Sequence, residues 1–200
     1  MEIIIAIAML TGVFCYYQNN KIVITNIKLK QKINNKVRIA QISDLHSKEF
    51  GKNNYILYKK IIEQKPDIIV ATGDLIDSSM KKLDEIIEFC SSINKDIPMY
   101  YILGNNEMRC SRVSEIVEKL KKNKICVLEN EIESIEVKGN KINILGLAEK
   151  RIDEGELFYS KVNSRYGTEN IEKIFSRLER LDGIKIVLSH YPENFEYVEE

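Results

Sequence analysis

The amino-acid sequence predicts an α/β fold: a parallel sheet flanked by helices, with a second sheet packed on it. Between residues 37 and 123 three apolar runs alternate with helix-periodic stretches. Such alternation means parallel strands joined by right-handed crossovers. From about residue 125 the rhythm changes to strands alone. Four polar signatures also stand where an apolar run ends: Asp44-Leu45-His46 after VRIAQIS, Gly73-Asp74 after DIIVAT, Gly104-Asn105 after MYYIL, and Ser189-His190 after IKIVL.

In chain order, the first element is an almost unbroken apolar run of fifteen residues, Ile3 to Tyr17. As a helix it spans roughly 22 Å, short of a hydrocarbon core of roughly 30 Å, so it anchors with thinning or snorkelling. A cleaved signal peptide is the competing reading. No basic residue precedes the run and no small-x-small site follows it, which favours an uncleaved anchor over residues 1–20. Lys21, Lys28, Lys30, Lys32 and Lys36 follow it. By the positive-inside rule a single-anchor protein at the cell membrane then keeps the folded part, residues 21–200, in the cytoplasm.

KIVITNIKLK, residues 21–30, alternates in part and reads as a strand between polar loops. Strand 37–43 leads to a helix near 53–64, where Ile56, Leu57, Lys60 and Ile61 keep helical spacing and Pro66-Asp67 stops the pattern. Strand 67–72 follows, then an amphipathic helix near 82–93 with Leu83, Ile86, Ile87 and Cys90 on one face. Pro98 opens strand 98–103, and a third helix over 111–123 carries Val113, Ile116, Val117 and Leu120. ICVLE, IESIEV and KINILGLA are the strands of the second sheet, the last two joined as a hairpin through Lys138-Gly139-Asn140. Residues 149–166 read as a long charged loop. Thr168 caps a helix to Leu181, strand 184–188 follows, and Pro192 starts a last helix.

Composition narrows the function. Two hundred residues with 44% hydrophobic content support one sizeable core. Thirty basic residues balance thirty acidic ones, so there is no electrostatic case for nucleic acid as a partner. The four cysteines lack CxxC spacing and read as buried free thiols.

The chain has only two histidines, His46 and His190, and both fall inside the polar signatures. Carboxylate, imidazole and amide oxygen at strand ends form a ligand set for hard or borderline divalent ions. Residues two apart on an extended segment share a face, so Asp44 and His46 can grip one ion together. Gly73 lets the backbone turn sharply and leaves Asp74 at the pocket mouth, the best candidate for a bridging carboxylate. Asn105 and His190 would serve a second ion. Two negative ligands against about four positive charges leave a site that attracts phosphate. An aspartyl-phosphate reading of Asp44 is weaker, because a second acidic group is expected beside the acceptor.

With Glu107 completing the third signature, these motifs resemble those of the calcineurin-like metallophosphoesterases, D-x-H, G-D, G-N-H-[DE] and a single H. The wording IAQISDLHSKEFGKNN, PDIIVATGDLID and IVLSHYPENF is similar to the bacterial membrane-anchored branch. The resemblance implies a four-layer α/β/β/α sandwich and a site for two divalent ions (manganese, iron or zinc) held by Asp44, His46, Asp74, Asn105 and His190. It also implies hydrolysis of a phosphomonoester, phosphodiester or pyrophosphate bond in a phosphorylated small molecule or lipid-linked substrate. Two departures stand out. Asn106 occupies the position of the family's catalytic histidine, and the closing G-H-x-H would lie beyond Glu200, leaving the domain C-terminally incomplete. Both are expected to reduce activity, and the alternative is a catalytically degenerate module that binds a phospholigand at the membrane.

Overall fold

Strand β2 (Ile68–Thr72) is buried along its whole length, as expected of a central strand rich in Ile and Val with helices on one side and a sheet on the other. The computed structural model describes residues 1–148 and 171–191. They fall into two units, Met1–Lys32 and Ile33–Glu200.

The first unit holds α1 (Glu2–Asn20), a helix of 19 residues. It exceeds the fifteen-residue apolar run because Glu2 precedes it in the helix and Gln18, Asn19 and Asn20 continue the turn, giving about 28 Å. It is the one helix among the described residues long and apolar enough to cross a membrane. Residues 21–30 form no strand. Their alternation finds no ladder partner, and isolated strands do not persist without one.

In the second unit β1 (Ile39–Ile42), β2, β3 (Met99–Ile102) and β4 (Cys126–Val127) make an all-parallel sheet in that order. The crossovers contain α2 (Tyr55–Glu63), entered through a short 3-10 turn, then α3 (Leu83–Asn94), and finally α4 (Asn105–Arg109) with α5 (Val113–Lys122). The register is regular: Ile42 is opposite Ala71, and Thr72 is opposite Ile102. The strand 125–129, expected in the second sheet, instead extends the first beside β3. Its length of two residues explains the misreading, since so short a run carries no periodicity.

The second sheet is β5 (Glu131–Val137), β6 (Asn140–Gly146) and β7 (Ile184–Leu188). β5 and β6 form the expected hairpin around Lys138-Gly139. Both turn residues have positive φ, 50° and 74°, the conformation of a two-residue turn that matches strand twist. β7 joins β6 in parallel, with α6 (Ile171–Glu179) preceding it.

Alternation along the strands sorts the side chains into three cores. Ile69, Ala71, Met99 and Tyr101 face Ile86, Phe89, Ile93, Ile116 and Leu120 of the outer helices. Ile68, Val70, Tyr100 and Ile102 point the other way, onto Ile142, Ile144 and Leu188. Leu145 and Leu147 meet Ile174 and Leu178 of α6. Helix, sheet, sheet, helix is the layer order, the four-layer α/β/β/α sandwich expected. Each fully buried Ile or Phe contributes roughly 1.5–3 kcal/mol.

Cys90 and Cys110 are buried, Cys126 is half-buried and Cys15 is exposed on α1. Burial pushes the Cys90 thiol up to about 12. Cys15 departs from the expectation of four buried thiols because it sits on α1, which is exposed throughout its described side chains. The loop over 149–166, the Thr168 cap and the helix at Pro192 lie outside the described residues.

Candidate metal centre

The first three signatures sit where parallel strands end on one edge of the first sheet. The fourth comes from elsewhere. His190 follows β7, in the second sheet, and not a strand of the first. It nonetheless reaches over that edge, its Nδ1 lying 2.8 Å from the carbonyl oxygen of Thr72.

That contact fixes the ring. A carbonyl oxygen only accepts, so Nδ1 carries a proton and Nε2 is turned inward. Nε2 lies 3.2 Å from Asn105 Oδ1 and 3.7 Å from Asp74 Oδ2. The three atoms thus converge, an arrangement satisfied by a proton on Nε2 or by a bound cation. A ring nitrogen oriented by a backbone carbonyl through its other nitrogen is also the usual condition of a metal-binding histidine.

Asp74 lies at the middle of the cluster. Its Oδ1 accepts the backbone N–H of Asn106 at 2.8 Å, and its Oδ2 accepts the Asn106 side-chain amide. On its other side Oδ2 is 4.0 Å from His46 Nε2, which is 3.7 Å from Asp44 Oδ1. Ligand atoms of Asp44, Asp74 and His190 lie within 4.8 Å of one another. All five residues singled out as ligands are therefore linked by short contacts, with Asp74 and His190 largely shielded and Asp44 and His46 open to solvent. The residue types suit divalent cations, being carboxylate, imidazole and amide oxygen, and Asp44, Asp74 and His190 stand close enough to hold one together.

Backbone conformation differs from the alternating strand expected for Asp-x-His. Asp44, His46 and Ser47 have φ of 55°, 48° and 54°, and Asp74 has 56°. These are left-handed conformations, uncommon outside glycine. Asp44 and His46 meet because the chain coils beyond β1, not because they alternate. The coil is held by three backbone bonds to the β2 end, Asp44 N–H to Gly73, His46 N–H to Asp74 and Ser47 N–H to Leu75, at 2.9–3.1 Å. Strain of this kind concentrates at functional sites.

Two glycines make room. A Cβ on Gly73, whose φ is +86°, would lie 2.6 Å from the Gly104 Cα and 2.8 Å from His190 Nδ1. One on Gly104 would lie 2.3 Å from Asp74 Oδ1.

Sequence reasoning gave Glu107 no role. It is wholly buried, and its carboxylate accepts the N–H groups of Asp74, Ile76 and Gly104 and the Tyr101 hydroxyl at 2.8–3.0 Å. Burial raises its pKa, with the Ile76 N–H, the Tyr101 hydroxyl and the Asp74 N–H opposing the rise. Burial likewise raises Tyr101 well above the ordinary phenol, with Glu107 adding to it. The available signal was an acid three residues after a strand-end glycine, the spacing of a capping box.

Carboxylates, imidazoles and an amide oxygen gathered at strand ends of an α/β sandwich are the equipment of a divalent-metal site. Residues 37–199 match the profile of the family described as calcineurin-like phosphoesterase, and the chain belongs to that family. An uncharacterized metallophosphoesterase of Aquifex aeolicus is 34% identical over 73 residues, 36% of this chain and 28% of that protein. A second uncharacterized metallophosphoesterase, of Campylobacter jejuni, is 33% identical over 102 residues, 47% of this chain and 26% of that protein. The matched segments thus span about a quarter of those relatives' length. The phosphopantetheinyl hydrolase of Mycobacterium tuberculosis superposes with a TM-score of 0.48 at 15% identity, covering 84% of this chain and 72% of that structure.

Proposed function

We propose that this protein hydrolyses a phosphoester bond at a site for two divalent ions, with Asp44 and His46 serving one, Asn105 and His190 the other, and Asp74 shared. One observation carries the reading: Asp74 Oδ2 is near the Nε2 atoms of both histidines, 3.7 Å from that of His190 and 4.0 Å from that of His46. A carboxylate within reach of both imidazoles could be shared by two cations. When bound, such ions supply Lewis acidity at a phosphoryl group and a nucleophile at neutral pH.

The chain's own residues position and shield. Glu107 and Asn106 hold Asp74, and the Thr72 carbonyl orients His190. Asn106, where the family resemblance expects a histidine, can donate a hydrogen bond to a phosphate oxygen but delivers no proton. The substrate is a phosphomonoester, phosphodiester or pyrophosphate in a small molecule or a lipid-linked compound, met at the membrane where α1 anchors the protein.

Metal content and turnover test this together. Protein loaded with manganese, iron or zinc is expected to hydrolyse an aryl phosphate or aryl phosphodiester, while Asp74→Asn and His190→Ala lower bound metal and turnover in step. Turnover that persists in metal-stripped protein, or in either variant at full metal content, would sink the assignment.

A further inference from the structure

Between Glu2 and Asp44 the sequence contains no acidic residue, yet residues 21–38 contain Lys21, Lys28, Lys30, Lys32, Lys36 and Arg38. The run begins one residue after α1 ends at Asn20. All six cationic side chains belong to exposed residues. Apolar ones lie open beside them: Val23 is 71% exposed, Ile27 80% and Leu29 84%.

Residues two apart in an extended chain share a face, and Lys21, where the chain leaves the helix, is already extended. If residues 21–32 continue extended, Val23, Ile27 and Leu29 share one side with Lys21, and Lys28, Lys30 and Lys32 share the other with Ile22 and Ile24. An apolar edge backed by cations, continuous with an apolar helix, matches the boundary between acyl chains and anionic headgroups. Charge complementarity selects the occupant. A zwitterionic surface offers the apolar edge a place but gives the lysines no counter-charge.

We infer that residues 21–32 form an interfacial strap that binds anionic phospholipid, with the apolar edge lowered into the headgroup boundary and the lysines on lipid phosphates. The inference rests on the anchor reading of α1. It adds a lipid preference that an anchor alone does not have. Lysines near an anionic surface each strengthen binding by about fivefold, so three together are worth on the order of a hundredfold.

The chain contains no tryptophan, so Leu29→Trp in the full chain reports on the strap alone. The test compares Trp emission and quenching by brominated acyl chains in vesicles of phosphatidylcholine and of phosphatidylcholine with about 30% phosphatidylglycerol, near the charge of a leaflet that attracts polybasic segments. The expected result is a blue shift and quenching with the anionic vesicles only, abolished by Lys28→Gln/Lys30→Gln/Lys32→Gln and reversed by 0.5 M salt at roughly a 4 Å screening length. Equal emission in both vesicle types, or an unchanged shift in the triple variant, overturns the strap. So does a blue shift without lipid, which would mean that the segment packs on protein. Flotation with phosphatidylcholine vesicles separately reads α1, so an anchor that fails is told apart from a strap that fails.

Discussion

Glu107 accepts the backbone N–H of Asp74 at 2.8 Å from a position with no exposed surface. The same oxygen takes the N–H of Gly104, while the other takes Ile76 N–H and the Tyr101 hydroxyl. One carboxylate therefore ties the loop after β2 to the loop after β3, and with it Asp74 to Asn105.

Glutamine at this position keeps one such oxygen and turns an NH2 group toward the other pair of donors. The Tyr101 hydroxyl can rotate to accept, but at least one buried N–H loses its partner, at about 1–3 kcal/mol. Glu107→Gln is expected to lower unfolding free energy by that amount, read as a lower urea midpoint at unchanged slope. Metal affinity by calorimetry falls with it. An unchanged midpoint would mean that the four bonds are not worth their geometry.

Gly104 is needed for space rather than conformation. Its φ of −95° and ψ of −177° suit any residue, yet a Cβ there would stand 2.5 Å from the Asp74 N and 2.3 Å from its Oδ1. Gly104→Ala therefore displaces Asp74, at a cost of about 1–3 kcal/mol for overpacking. The measurement is bound metal per chain after dialysis against a weak chelator. Retention equal to wild type would show that the two loops can part without moving the carboxylate.

The first sheet was legible because Ile68, Ile69, Val70 and Ala71 form an uninterrupted apolar run, the mark of a strand buried on both faces. Asp44, Asp74 and Asn105 followed from it, since each stands just past a strand of that sheet. His190 was legible as a residue but not as a position: sequence order cannot show that β7 pairs with β6 in a different sheet and still delivers its imidazole to Thr72. The coil at Asp44–Ser47 was hidden for another reason. Left-handed Asp, His and Ser have no composition signal comparable to glycine, and their conformation is imposed by bonds to a loop 28–29 residues away. Residues 21–30 show the converse error, an alternating pattern without a neighbouring strand to pair with.

Asn106 offers a gain-of-function test. Its side-chain amide donates to Asp74 and lies 3.4 Å from His46 Nδ1, so a side chain here sits at the centre of the cluster. Protonating a leaving oxygen is worth about 10²–10⁴-fold, most for alkyl esters and least for activated aryl ones. Asn106→His is expected to raise turnover of an alkyl phosphoester at least tenfold more than that of a nitrophenyl ester. Steady-state rates on the paired substrates decide it, and equal changes on both would remove proton delivery from this position.

Glu129 gives a stability prediction independent of the site. Its side chain is 10% exposed, and the Lys121 ammonium stands 3.8 Å from Oε2, beyond hydrogen-bond reach. Burial raises its pKa, with Lys121 opposing and Glu131 adding to the rise. A carboxyl held higher in the folded than the unfolded state binds its proton better when folded. Its contribution is complete below the unfolded value near 4.5 and is lost as pH climbs through the folded one. Glutamine has the protonated shape without the titration. Glu129→Gln is therefore expected to match wild type below about pH 4 and to be more stable at pH 7. Thermal midpoints at the two pH values check the sign. A variant less stable at pH 7 would show that attraction to Lys121 outweighs the cost of burying the charge.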